Sequence, residues 1–202
     1  MKILFHGIPA RVKTGYGVQT KLWSRALRDA GHEVVISSII PGMPTYVDDG
    51  FLTLSAGLRA CMGNDWIELH AFFQKVDLIL SCSDTHVYEM DKWKRLPWAA
   101  WQVIDSQPLY KEIKKRVGIC PLNIAMSKFG QSVMKDAGMD STYIPLAYSK
   151  EEFYPEDKVT ARAKLKECFP DDDVGNRLMI MMNSANMSRP GRKNFGSIQG
   201  IC

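Results

Sequence analysis

Cysteine is too sparse and too scattered in this 202-residue chain to organise a fold. The five thiols, Cys61, Cys82, Cys120, Cys168 and Cys202, are odd in number and never form a Cys-x-x-Cys pair. That excludes a disulfide framework and a cysteine zinc site, and it fits a reducing cytoplasm. Histidine is scarce as well: His6 ends an apolar run, His32 sits in a turn, and His70 and His86 have no partner in sequence, so no metal triad is expected. No apolar run reaches the about 18 residues of a membrane helix, and Ile3–Phe5 is too short for the apolar region of a signal peptide. The chain is therefore expected to be neither secreted nor membrane-spanning. Charge of one sign is not concentrated either. The formal net charge is +4, with Lys and Arg dispersed, so no nucleic-acid footprint stands out. The acidic run Asp171-Asp172-Asp173 reads as part of a solvated loop.

What is present is an ordinary globular composition, 46% hydrophobic and 24% charged, in a chain long enough for one full core and the beginning of a second. Lys2–Gly7 is a short apolar run ending in glycine, the pattern of a strand buried on both faces of a parallel sheet. Val18–Ala30 places Val18, Leu22, Ala26 and Ala30 at four-residue steps with Trp23 and Leu27 beside them, and it stops at Gly31, which predicts a helix with an apolar stripe. Glu33–Ile40 supplies the next strand and completes a right-handed βαβ unit. Val76–Ser81, Trp98–Ile104, Leu122–Ser127 and Thr142–Pro145 continue the strands, with helices expected over Leu109–Val117 and Lys128–Ala137. The fold class is α/β, a Rossmann-like doubly wound parallel sheet. Residues 1–148 form this domain, 149–176 a linker and helix (Val159–Phe169), and 177–202 the truncated start of a second α/β domain whose strand is Leu178–Met182. A lone strand there favours self-association.

Two loops carry candidate chemistry. Gly7 to Gly17 joins the first strand to the first helix, where unpaired amides suit an anion, and Gly15 and Gly17 permit close approach of a ligand; the same glycines also suit a plain turn into a helix. Gly15-x-Gly17-x-x-Thr20 fits a dinucleotide fingerprint badly, because the glycines come late, Thr20 replaces the third glycine and Ser37-Ser38 supplies no ribose acid. The second loop, Asn186–Asn194, sets Arg189, Arg192 and Lys193 beside a helix start, a cation set that would neutralise a diphosphate or simply face solvent.

The order of these pieces resembles the retaining family 4 glycosyltransferases of the two-domain GT-B fold. Thr14-Gly15-Tyr16-Gly17 and Ala30-Gly31-His32-Glu33-Val34 are similar to the family's opening. Ile124-Ala125-Met126-Ser127-Lys128-Phe129-Gly130, then Gly138, Ile144-Pro145-Leu146-Ala147 and Phe153-Tyr154-Pro155, resemble the stretch that closes its first domain. Ala161-Arg162-Ala163-Lys164-Leu165 and Arg192-Lys193-Asn194 are similar to its entry into the donor domain. The resemblance implies transfer of a sugar from a nucleoside diphosphate sugar to an acceptor, with retention, without a metal or other cofactor. Arg192 and Lys193 would stabilise the departing diphosphate with Arg189 nearby, and Gly15 and Gly17 would face it from the opposite wall. Where many members carry a histidine this chain has Asp105, which would either orient a sugar hydroxyl or the acceptor, or cap the helix after Pro108. The alternative to an enzyme is a non-catalytic glycan- or protein-binding module that keeps the fold.

Overall fold

Alternation along the first strand shows how the core is built. In β1 (Lys2–Gly7) Ile3 and Phe5 enter one apolar cluster while Leu4 enters another, because successive side chains of a strand point to opposite faces. The same split recurs in β2 (Glu33–Ser38), with Val34 and Ile36 against Val35, and in β6 (Trp98–Gln102), with Ala99 and Trp101 against Trp98 and Ala100. A sheet buried on both faces needs a helical layer on each.

The computed structural model describes residues 1–59 and 62–171. After β1 come α1 (Gly15–Asp29), β2, the hairpin strands β3 (Tyr46–Asp48) and β4 (Phe51–Leu54), α2 (Ile67–Gln74), β5 (Leu78–Cys82) and the short α3 (Met90–Trp93). Then follow β6, α4 (Lys111–Ile119), β7 (Leu122–Ala125), α5 (Lys128–Asp136), β8 (Thr142–Tyr143) and α6 (Lys158–Cys168). The described strands form one sheet in the order β3-β4-β2-β1-β5-β6-β7-β8, parallel throughout except for the β3–β4 hairpin. This is the α/β, Rossmann-like fold that the strand and helix pattern predicts. Met1–Glu152 is one compact unit, and α6 belongs to a second that starts at Phe153. The expected strand Leu178–Met182 and the cationic loop with Arg189, Arg192 and Lys193 lie outside the described residues.

The helix α1 is where the sequence predicts, but its inward face is not. Gly17, Gln19, Thr20 and Ser24 are buried, with Trp23 and Leu27 packed on the sheet, whereas Val18, Ala26 and Ala30 of the expected stripe are exposed. Small residues at 17, 20 and 24 bring the helix axis close to β1, and Trp23 reaches over to Trp101 with ring centroids 5.0 Å apart. On the other face Tyr88, Trp93 and Trp98 stack together, with centroids 4.2 to 5.5 Å apart. Both kinds of pairing add about 0.5–1.5 kcal/mol beyond area burial. The buried Trp98 Nε1 donates to Ser81 Oγ at 2.7 Å, which removes the cost of an unmet donor.

Candidate functional site at the sheet's switch point

The chain runs outward from β1 through β2 on one side and from β5 through β8 on the other, so the strand order reverses between β1 and β5. In open α/β sheets the crevice outside the carboxyl ends at such a point is where ligands bind. Three loops meet there: the glycine loop after β1, Ser83–His86 after β5 and Val103–Asp105 after β6.

The glycine loop is folded onto its own helix. Val12 N donates to Pro9 O at 3.0 Å and Thr14 N to Val12 O at 2.8 Å, and Thr14 Oγ1 accepts from Gly17 N at 3.1 Å as the N-cap of α1. A β-carbon at residue 17 would stand 2.0 Å from Val12 O. Gly17 is therefore required by the loop's own packing, whereas Gly15 has open space about it. Between them Tyr16 donates its hydroxyl to Asp84 Oδ1 at 3.4 Å, a long bond that draws the loop to β5. Burial, then the charge of Asp84, with Asp105 contributing, raise the phenol above its ordinary pKa, so Tyr16 acts as a donor and not as a base.

Asp84 and Asp105 line one open cavity of about 560 Å³ together with His86 and with Tyr110, Lys111 and Glu112 at the start of α4. Asp105 is exposed and does not cap α4, whose N-cap position is held by Tyr110. The cavity thus presents carboxylates, the Tyr110 phenol, the His86 imidazole and the Lys111 ammonium, a set suited to hydroxyl-rich ligands. Asp84, His86 and Tyr110 are missed by reading the sequence, because nothing local sets them near Asp105. Tyr16 lies inside the glycine motif, but its side-chain role depends on a partner 68 residues away.

Asn64 fixes the segment that carries Asp84. Its Oδ1 accepts from Glu89 N at 3.1 Å and Trp93 Nε1 at 2.7 Å, and its Nδ2 donates to Val87 O at 2.8 Å. Behind it, buried His6 bonds Met62 O through Nε2 and Ser37 Oγ through Nδ1, each at 3.0 Å, and Ser37 Oγ also meets His70 Nδ1 at 2.9 Å. His6 is a packed histidine, as expected; its partners are Ser37 and the Met62 carbonyl, and His70 joins through Ser37. Among the described residues no three His, Cys, Asp or Glu side chains gather as a metal site. Burial pushes the Cys82 thiol up to about 12 and Cys120 up to about 11, which leaves both inert. No described helix is long and apolar enough to cross a membrane.

No family model and no curated protein matches the chain. Among solved structures it is similar to a glycosyltransferase from Rickettsia africae ESF-5, with a TM-score of 0.61 and 18% identity, over 93% of this chain and 53% of that one. It also matches an alpha-glucosyltransferase in complex with UDP and a mismatched 13-mer DNA, with a TM-score of 0.45 and 13% identity, over 81% of this chain and 43% of that one. The chain spans about half the length of these proteins. At this identity, what it shares with the Rickettsia enzyme is the α/β fold.

Proposed function

We propose that the chain is the acceptor-side part of a glycosyltransferase that moves a sugar from a nucleoside diphosphate sugar to a hydroxyl-bearing acceptor with retention. The observation that carries the reading is the cavity lined by Asp84 and Asp105 after β5 and β6, with the glycine loop linked to Asp84 through the Tyr16 hydroxyl. The fold shared with a glycosyltransferase and the family-like motifs support it. In this reading the bond between the sugar's anomeric carbon and the phosphate oxygen breaks, and a bond to the acceptor oxygen forms on the same face. The acceptor loses a proton and the diphosphate leaves with the electron pair. Asp105 orients the reacting sugar or acceptor hydroxyl, and Asp84, held by Tyr16, binds a neighbouring hydroxyl. Arg189, Arg192 and Lys193 steady the charge that grows on the diphosphate, Gly15 and Gly17 belong to the acceptor-side loop, and no metal or other cofactor is required. Residues 1–148 form the acceptor side and 177–202 begin the donor side, in a cytoplasmic enzyme of the GT-B type. A non-catalytic module is the second reading, favoured by Asp105 standing where many members of the resembled family carry histidine.

The test is transfer from UDP- and GDP-sugars to polyol acceptors by the chain joined to its donor half. Lys193→Ala is expected to lower kcat by about 100- to 1000-fold. Asp105→Asn is expected to lower it clearly while the melting temperature stays unchanged. Near-normal turnover in both variants would sink the assignment in favour of the binding module.

A further inference from the structure

Cations and carboxylates are unequally distributed about the glycine loop. On one flank Tyr16 donates to Asp84 of the acidic cavity. On the opposite side a groove of about 360 Å³ opens between residues 10–13, the outer face of α1 and the tip of the β3–β4 hairpin. Arg11, Lys13, Lys21 and Arg25 line it against Asp48 and Asp49, so the cations exceed the carboxylates by two.

Their pairing shows which charges remain to be met. The guanidinium of Arg25 forks onto both carboxylate oxygens of Asp49, which consumes that acid. Arg11 lies 3.9 Å over the Tyr46 ring, a contact that fixes the guanidinium without neutralising it. Lys13 and Lys21 make no ion pair among the described residues. The wall that mounts Arg11 and Lys13 is rigid, because the Val12–Pro9 and Thr14–Val12 backbone bonds and Gly17 hold it shut. Three separately mounted cations suit a group that spreads one to two negative charges over three oxygens better than a planar, singly charged carboxylate.

We infer that the groove of Arg11, Lys13 and Lys21 is a binding site for a phosphate monoester-type anion, distinct from the Asp84–Asp105 cavity. It stands on the groove alone and does not require the transferase reading. The anion is supplied either by a small soluble phosphate ester or by the headgroup of an anionic lipid. Titrating the chain with glycerol 3-phosphate, and in a second arm with phosphatidic acid vesicles in phosphatidylcholine, tests it. The probe that binds names the source. The double variant Lys13→Ala, Lys21→Ala, which removes two exposed or half-exposed side chains, is expected to weaken that binding at least about tenfold, each charge-assisted contact being a substantial fraction of the affinity. The double variant Lys114→Ala, Lys135→Ala, an equal loss of charge at exposed positions of α4 and α5, is expected to change it less than about twofold. Failure of both probes to bind, or equal affinity in the Lys13→Ala, Lys21→Ala variant with its fold confirmed by circular dichroism, overturns the site. Loss in Lys193→Ala with retention in the Lys13→Ala, Lys21→Ala variant overturns it as well, by placing the anion elsewhere, whatever the outcome for sugar transfer.

Discussion

The carbonyl of Met62 can only accept a hydrogen bond, so the His6 ring that meets it at Nε2 carries its proton there. Nδ1 is then an acceptor, Ser37 donates to it, and the Ser37 oxygen accepts from Nδ1–H of His70. A second proton on His6, at Nδ1, breaks this chain, whereas one on His70 enters at Nε2 and leaves the Nδ1–H donor in place. Burial, reinforced by the neighbouring His70, lowers His6 to about 3, and burial lowers His70 to about 4 despite the opposing charge of Asp65. Both folded pKa values lie below the ordinary histidine value, so the unfolded chain takes up these protons first. The stabilisation is complete above about pH 6.5 and is lost progressively as the pH falls toward 4 and below. Chemical denaturation from pH 7 to pH 4 is expected to show a loss on the order of several kcal/mol from the pair. His6→Gln is expected to flatten that slope while lowering stability at pH 7; an unchanged slope would show that the two rings do not titrate with unfolding.

At the scale of elements, the glycine loop sets two neighbouring glycines in opposite situations. Gly17→Ala drives a methyl group into the Val12 carbonyl, and the roughly 1 kcal/mol gained from helix propensity does not offset a displaced loop, so a fall of several degrees in melting temperature is expected. Gly15→Ala meets open space at the helix start and is expected to be neutral or slightly stabilising; equal losses in both would refute the packing role of Gly17. The strands were legible because parallel strands buried on both faces read as continuous apolar runs. The inward face of α1 was not, because close approach to the sheet selects small residues where periodicity looks for large ones. Helix α2 escaped for a different reason. Ile67, His70 and Ala71 face the core, but Trp66, Leu69, Phe72 and Phe73 form an outward stripe, with Phe72 75% and Phe73 71% exposed, so no polar face marks the period. The β3–β4 hairpin did carry a signal, Asp49-Gly50, both with positive φ between the paired strands. Of the site, the glycine loop and Asp105 could be read from order along the chain. Asp84 could not, since its placement depends on the Asn64 clamp and on β5 lying beside β1.

For the molecule as a whole, the unit Met1–Glu152 closes on itself. The chain that leaves β8 is taken back to α1: Trp101 Nε1 donates to Ile144 O at 2.8 Å, and Gln19 both donates to Ala147 O and accepts from Ala147 N, each at 2.8 Å. A fragment ending at Glu152 is therefore expected to unfold in a single cooperative transition and to keep near-native far-ultraviolet circular dichroism; a broad, non-cooperative melt would refute this. The Gln19 clasp also gives the unit an internal reporter. Ala147 lies beyond the last described strand, where a backbone amide would ordinarily trade its hydrogen for deuterium within moments, yet its N–H is bound to a buried side chain 128 residues away. Its exchange clock is thus set not by local fraying but by how often the first helix lifts off the sheet, so that one slow amide near the unit's end times the opening of its beginning.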